Sequence, residues 1–346
     1  MYPLTPYPLT PIGSFFGLVL SVIPLASHVG FQSWNTGIFV YAFWIGTMNF
    51  INFVNTIVWH DNVNPYIQVW CDITTKIQIG ALIGVPACTL VLCIHLFKIT
   101  RMRGVAIVDE KAQRRRTLII DLSLTLGFPV LIMALSIIVQ TYRFNIIEEI
   151  GCQAANYSYV TYVIIYVPQF FLNLIAVALA PFTLQKFIRH RSEMNEVISS
   201  QTNATPNKYI RVMVVTCLNL LFDLPVLVII VVTHAVQGHT ETMNFPFYSW
   251  EFIHDTLNMI VETDASMWGA PGRGWQVFEN KWNEWIYVLQ AIVFFCVFGT
   301  TPEARRRYRC ALSWVLEKTR LKKKAPSKEE SDMVFNSNPA RPNPVR

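Results

Sequence analysis

Two carboxylates stand out because they lie inside long stretches that otherwise contain no Asp, Glu, Lys or Arg. Asp223 lies two residues before Pro225, near the middle of one such stretch, whereas Asp121 lies five residues after Arg116. A carboxylate in an apolar segment is costly and usually faces a partner, and a proline weakens or bends its helix. Asp223 and Pro225 are therefore candidates for a conformational switch, a polar latch beside a hinge. The alternative is a neutral or water-satisfied acid with no switching role, and Asp121 is expected to pair with the basic segment before it.

A second group of polar residues flanks these stretches and could recognise a ligand. Asp72 and Lys76 are four residues apart, so they lie about one turn apart on one helix face. Arg143, Glu148 and Glu149 follow the fourth stretch closely. These groups either contact polar groups of an external ligand or form an ion-pair cluster that contributes little free energy.

Metal-dependent catalysis is not indicated. A membrane zinc hydrolase needs His and acidic ligands clustered within its helices, and the histidines are instead scattered along the chain. They are His28, His60, His95, His190, His234, His239 and His254. We expect no catalytic residue, no metal site and no cofactor.

The elements that position these residues are seven stretches of low charge. Each has about the 20 residues that an α-helix needs to cross ~30 Å of hydrocarbon, and soluble core helices are rarely apolar on every face. We therefore predict an all-α membrane protein with a seven-transmembrane helix bundle. The predicted spans are Ile12–Phe31, Asn35–Trp59, Ile77–Leu96, Thr117–Gln140, Tyr159–Gln185, Val212–His234 and Trp285–Thr301.

The basic residues predict an orientation. Twenty-four of the 28 Lys and Arg residues lie in three segments, Lys98–Arg116, Lys186–Arg211 and the chain after Thr301. Cytoplasmic loops concentrate Lys and Arg, so we expect the N-terminus outside and the C-terminus in the cytoplasm. The net charge of +6 then reflects topology, and we expect no nucleic-acid partner.

Four regions follow from this topology. We expect an extracellular N-terminus at 1–11, the seven-helix domain at 12–301, an amphipathic interfacial helix at 302–321 against membrane lipids, and a disordered cytoplasmic tail at 322–346. Cys310, in the interfacial helix, is either a palmitoylation site or an ordinary free thiol.

Cysteines and glycosylation motifs agree with the orientation. Among the seven cysteines, Cys71 and Cys152 lie on the predicted outer side, where they either form a disulfide or remain two free thiols. Asn156 begins an outer Asn-Tyr-Ser motif and is a candidate for glycosylation, although it lies close to the bilayer.

The loop predicted between Ala235 and Glu284 is unusually aromatic. Trp and Tyr often anchor helices at the membrane interface, but this loop has more aromatic residues than anchoring requires. The surplus favours a half-buried lid or an apolar binding surface, and it includes Phe245, Phe247, Tyr248, Trp250, Phe252, Trp268, Trp275 and Phe278.

Several runs resemble the fungal a-factor-type pheromone receptors, which are class D G-protein-coupled receptors. The resemblance covers about residues 12 to 310, and the short tail is more similar to basidiomycete mating-type receptors than to the long-tailed yeast receptor. The continuous matches are Trp70–Gly80 in the third helix, Asn55–Trp59 and Leu126–Pro129. The separate matching residues are Val139, Gln140, Arg143, Phe144, Glu148, Gly151 and Cys152, then Arg211, Met213 and Pro225 in the sixth helix, and finally Phe294, Phe295, Gly299, Glu303, Ala304, Arg305 and Tyr308.

This resemblance implies a plasma-membrane receptor for a prenylated peptide mating pheromone that signals through a heterotrimeric G protein. The residues that would then contact the ligand are Trp70, Asp72, Lys76, Arg143, Glu148, Trp268 and Trp275. The G protein would face Arg101, Arg103, Arg114, Arg115, Arg116, Lys186, Arg189 and Arg191, although the positive-inside rule alone explains these residues equally well. The alternative function is a seven-span transporter of a lipidic or peptide substrate.

Overall fold

The structure of the chain is a computed structural model that describes residues 6–28, 36–101, 110–189, 206–240, 246–268, 274–300, 304–306, 308–310 and 313. The chain divides into two units, Met1–Thr301 and Pro302–Arg346. In the second unit, residues 304–306 and 308–310 are helical. The tail at 322–346 lies outside the described residues.

Helices make up most of the first unit. They are α1 Leu9–His28, α2 Thr36–Val58, α3 Gln68–Arg101, α4 Glu110–Leu122, α5 Phe128–Leu135, α6 Val167–Arg189, α7 Pro206–Thr240, α8 Trp250–His254, α9 Ala265–Trp268 and α10 Gly274–Phe294. Within the described residues, six helical segments are long and apolar enough to cross a membrane: Thr36–Val58, Gln68–Lys98, Ala112–Val139, Tyr162–Gln185, Ile210–Val236 and Gly274–Gly299. The apolar part of α1, Leu9–Leu25, is shorter.

Three of the predicted spans are too short. α3 begins at Gln68 rather than Ile77, and α10 begins at Gly274 rather than Trp285. α7 continues to Thr240, well past the predicted end at His234. The added turns carry polar side chains, such as Asp72 and Lys281, that pair with other parts of the protein. Helical backbone therefore continues where a search for apolar residues alone stops.

Prolines coincide with changes of helix type. π-helical turns at Ser123–Gly127 and Tyr162–Tyr166 end two residues before Pro129 and Pro168. Proline has no backbone N–H, and its ring collides with the carbonyl four residues earlier in a regular α-helix. A wider turn relieves that collision. Pro225 instead lies inside α7.

α3 is the central helix of the bundle and packs against α2, α5, α6 and α7. The indole of Trp44 on α2 reaches past α3 and donates a hydrogen bond to the carbonyl of Thr125, 3.1 Å away. A Cβ at Gly84 would overlap this indole, so α3 needs a glycine at that position. One tryptophan thereby connects α2, α3 and the π-helical turn after α4.

A small sheet covers one end of the bundle, and the all-α prediction is wrong in this respect. β1 Phe144–Ile147 pairs antiparallel with β2 Gly151–Gln153 and parallel with β3 Ile260–Thr263, in the order β2-β1-β3. The sequence of β1 does not alternate between polar and apolar residues, because all four of its residues are buried. The pattern that usually indicates a strand is therefore absent from β1. We call this end of the bundle the sheet end.

The sheet is bonded to α3 through a disulfide between Cys71 and Cys152, whose Cα atoms are 5.3 Å apart. Both cysteines are buried together with Trp59, Phe144 and Ile146. The carbonyl of Cys152 also accepts a hydrogen bond from the Gln78 amide at 2.8 Å.

Backbone conformation at the β1–β2 turn requires a glycine. Gly151 has a φ of +87°, and a Cβ there would collide with the side chain of Asn55. Because this φ and this close approach both exclude larger residues, the turn can lie directly against the end of α2.

Loss of the disulfide should destabilise the protein. Cys71→Ser or Cys152→Ser is expected to lower the free energy of unfolding by about 2–4 kcal/mol, because the bond links positions 81 residues apart. The double variant should be no less stable than either single variant. Thermal unfolding in detergent measures this, with Cys296→Ser, a change at an exposed free thiol, as the control. Mass mapping of non-reduced peptides that found both thiols free would contradict the expectation.

Candidate functional site

A cavity of about 370 Å³ lies between α3, α6, α7 and α10 beneath the sheet. At its sheet end it is bordered by Asn145 of β1 and Thr263 of β3, and at its deep end by Asp223 and Gln290. Its volume lies in the range of about 300–1,000 Å³ that is typical of small-molecule sites. The cavity is therefore the best candidate for a ligand site in the part of the chain that the structure describes.

Two antiparallel helices supply two polar pairs to the cavity. Asp223 and His234 lie on α7, and Glu279 and Gln290 lie on α10. Residues eleven apart are close to three full turns and roughly 16 Å apart along a helix, so both side chains of each helix share one face. Because the helices run in opposite directions, His234 meets Glu279 and Asp223 meets Gln290.

The pair nearer the sheet, which we call the sheet-side pair, joins His234 to Glu279. His234 Nε2 is 2.8 Å from Oε1 and 3.0 Å from Oε2 of Glu279. The hydroxyl of Tyr166 lies 3.4 Å from Nδ1 of His234, and the two rings meet edge to face. The π-helical turn before α6 therefore also contributes to the sheet-side pair.

The other pair, which we call the deep pair, joins Asp223 to Gln290. The amide Nε2 of Gln290 donates to Oδ1 of Asp223 at 3.1 Å. Gln290 is only 3% exposed, and its Oε1 has no hydrogen-bond partner among the described residues. Since Asp223 lies two residues before Pro225 of α7, the deep pair connects the proline-containing part of α7 to α10.

Aromatic rings form much of the remaining wall, including Tyr157, Tyr162, Trp282 and Tyr287. Burial raises the pKa of Tyr157, so its hydroxyl is neutral and accepts a hydrogen bond from the Asn145 amide at 3.3 Å. The cavity thus combines apolar ring faces with a few fixed polar groups.

Most residues predicted to bind the ligand make contacts within the sheet end. Arg143 forms a bidentate pair with Asp72, at 2.6 and 2.9 Å, and these hydrogen bonds raise the pKa of the guanidinium. Lys76 donates to Ser136 and Gln140. These contacts tie the start of β1 and the end of the fourth span to α3.

Two other predicted ligand residues have partners nearby. Glu148 accepts a hydrogen bond from the backbone N–H of Ala265 at 2.7 Å, and the indole of Trp70 donates to Asn55 at 2.9 Å. Neither borders the cavity. Glu148 therefore fixes the start of α9, and Trp70 joins α3 to the end of α2.

The two tryptophans of the aromatic segment differ. Trp268 is buried and borders the cavity, with the ammonium of Lys281 5.6 Å from its ring centre. Trp275 is 56% exposed and contacts Phe278 edge to face. Only Trp268 of the seven predicted ligand residues lies at the cavity.

At the end of the bundle away from the sheet, the expectation for Asp121 is wrong. Its described partner lies outside the basic segment. Oδ2 of Asp121 lies 2.8 Å from Nε2 of His95 on α3, and both side chains are largely buried. Asp121 lies about one and a half turns after Arg116 on α4, and its side chain meets α3.

The basic residues predicted to face a partner are only partly described. Arg114, Arg115 and Arg116 are exposed on α4. Arg101, Lys186 and Arg189 lie in the last turns of α3 and α6, and their side chains are outside the description. Arg103 and Arg191 lie outside the described residues altogether.

The two candidate modification sites have different surroundings. Asn156 is half-buried and borders the cavity, while Ser158 of the same motif is buried. Cys310 is an exposed free thiol. Glycosylation of Asn156 and palmitoylation of Cys310 remain predictions.

The sequence interpretation missed His234, Glu279, Gln290 and Tyr166. A detectable signal existed, because polar residues recur eleven positions apart in both α7 and α10. Nothing in the sequence alone states that these two helices are neighbours.

Comparison with known proteins points to one family. The profile of the pheromone A receptor family, STE3, matches residues 9–319. The chain is 30% identical over 89% of its length to the pheromone B alpha 3 receptor of Schizophyllum commune, of which it covers 48%. It is 27% identical over 91% of its length to pheromone receptor 1 of Mycosarcoma maydis, of which it covers 86%.

A more distant relative is the pheromone a factor receptor of Saccharomyces cerevisiae, with 24% identity over 84% of this chain and 59% of the relative. The chain spans about half the length of the Schizophyllum relatives it matches.

The contact between Asp72 and Arg143 should be measurable but small. Both side chains are more than a third exposed, so a double-mutant cycle with Asp72→Ala and Arg143→Ala should give a coupling free energy of about 0.5–1 kcal/mol. The coupling should fall at high salt because exposed charges are screened. Chemical or thermal unfolding measures it, and Asp255→Ala combined with Arg143→Ala is the control cycle. Coupling at or below the control would contradict the pairing.

Proposed function

Because the chain belongs to the pheromone A receptor (STE3) family, we propose that it is a G-protein-coupled receptor for a prenylated peptide mating pheromone. It is not an enzyme, and it is a multi-pass protein of the plasma membrane. The main observation in support of the proposal is the cavity between α3, α6, α7 and α10. The family profile matches residues 9–319, which include all four of these helices.

The full topology has seven spans. The six long apolar helices are joined by α1, which packs along α2 and α10 and serves as the first span. Lys and Arg are concentrated in alternate connections, so the N-terminus is outside and the sheet end faces the exterior. The ligand then enters the cavity from the sheet end.

A prenylated peptide suits the surface near this entrance. Tyr248, Trp250 and Trp275 are all more than half exposed, and a prenyl chain contributes about 0.8 kcal/mol for each CH₂ that it buries. The peptide part would contact the cavity itself. The sheet, joined to α3 by the disulfide, keeps the entrance in place.

Activation requires two states that the ligand binds with different affinity. The deep pair is a latch between α7 and α10, and Pro225 is a point at which α7 can bend because proline removes a backbone hydrogen bond. A ligand that weakens the contact between Asp223 and Gln290 favours the state in which α7 has moved.

The heterotrimeric G protein binds at the opposite end. Arg114, Arg115 and Arg116 provide exposed positive charge on α4, next to the buried pair of His95 and Asp121. In this topology the same cytoplasmic side also contains Arg101, Arg103, Lys186, Arg189 and Arg191.

The function is tested in a fungal strain that lacks its own pheromone receptor and carries a pheromone-responsive reporter. The strain expresses this chain and is exposed to a panel of peptides, each with and without a prenyl group. We expect at least one prenylated peptide to activate the reporter, and its unprenylated form to be far weaker. Silence to every prenylated peptide, with the receptor shown at the cell surface, would favour a transporter, which uptake assays would then examine.

The latch makes a separate prediction. Asp223→Asn should raise basal reporter activity by roughly three- to tenfold, because a hydrogen bond to a charged group stabilises a state by about 1.5–3 kcal/mol and a neutral one by less. Asp255→Asn, which makes the same change at an exposed loop acid, is the control. Unchanged basal and stimulated activity in Asp223→Asn would remove the latch.

A further inference from the structure

The deep end of the cavity contains hydrogen-bond acceptors in excess of donors. Asp223 contributes a carboxylate, and Gln290 contributes an Oε1 without a partner among the described residues. Gln169 of α6 is 8% exposed, borders the same cavity and also has an unpaired Oε1. Buried polar atoms are usually hydrogen-bonded, so these acceptors can receive hydrogen bonds from a donor group that enters the cavity.

The charge of the lining favours a cation. The cavity is bordered by two carboxyl groups, those of Asp223 and Glu279, and by His234, while no Lys or Arg of the described chain borders it. Glu279 is already paired with His234. Lys281 points away to Glu149 and Glu284. The carboxyl group of Asp223 therefore has no cationic partner among the described residues.

The walls are also suited to a cation. Tyr287 lies one turn before Gln290 on α10 and borders the cavity, and the face of such a ring attracts ammonium groups. A primary ammonium has three N–H donors and no acceptor. Its donors can be accepted by Asp223 and by the Oε1 atoms of Gln290 and Gln169, which border the same cavity.

We propose that the deep end of the cavity is a subsite for a primary ammonium group of the ligand, such as a lysine side chain or the amino terminus of a peptide. That the ligand is a peptide rests on the proposed function. The ammonium neutralises Asp223 and thereby weakens the charge-assisted hydrogen bond to Gln290. Ligand charge is thus coupled directly to the contact between α7 and α10.

A metal ion fits the same place poorly. Groups of three or more His, Cys, Asp and Glu side chains that could hold one do not occur within the described residues. A single carboxylate with amide oxygens leaves sodium as the competing cation, and the experiment therefore includes it.

The test uses simple cations, so it requires neither the pheromone nor the G protein. The full chain is purified in detergent, and its thermal unfolding is measured with methylammonium, tetramethylammonium or sodium chloride at equal ionic strength, up to about 100 mM. Methylammonium carries three donors and tetramethylammonium none. We expect methylammonium to raise the melting temperature by about 2 °C or more above the other two salts.

Two variants locate the effect. Asp223→Asn should abolish the difference between methylammonium and tetramethylammonium, whereas Asp255→Asn, the same change at an exposed acid that does not border the cavity, should retain it. If Asp223→Asn does not fold, Gln169→Met removes one acceptor with little change of volume and should reduce the difference by about half or more.

Each other result overturns the subsite. Equal stabilisation by sodium would make it a metal-ion site, and equal melting temperatures in methylammonium and tetramethylammonium would show that no donor is recognised. A difference that survives in Asp223→Asn would place the binding elsewhere. An active reporter strain with no methylammonium effect refutes only the subsite, and a silent strain with a clear effect refutes only the receptor function.

Discussion

Polar side chains inside the hydrocarbon must find their partners within the protein, and this constraint organises the bundle. An unpaired charge at that depth is strongly unfavourable, and the two acids inside the predicted apolar spans each have a partner on another element. Asp223 pairs with Gln290, and Asp121 pairs with His95. These polar contacts determine which helix faces meet. Apolar side chains pack against lipid about as well as against one another, so apolar packing alone favours one helix face over another only weakly.

The antiparallel pairing of α7 and α10 is the clearest case. Polar residues eleven positions apart on each helix produce two contacts at matching heights, the sheet-side pair and the deep pair. A rotation of either helix by a fraction of a turn would break both contacts together. The cavity lies where these two contacts hold the helices in register while α3 and α6 complete the wall.

The sheet end obeys a different constraint. Strands at the surface of a bundle need partners for their backbone groups, and here the three strands pair with one another while the disulfide and the Gln78 amide attach β2 to α3. Asp72 and Arg143 attach the start of β1 to the same helix. Residues that looked suited to an external ligand are therefore used to hold the sheet, and polar type and spacing alone do not distinguish these two uses.

The sequence by itself determined the helical membrane class, six of the seven predicted spans and the family, because these depend on composition over about 20 residues and on local motifs. It also marked Asp223, Pro225 and the two sheet-end cysteines, since each is unusual in its own segment. Helix ends, the sheet and the partners of each polar residue were decided only by the tertiary structure. The spacing within α7 or α10 specifies a face, but whether Gln290 or a water molecule meets Asp223 depends on which helix lies opposite, and that is a long-range property of the packed bundle.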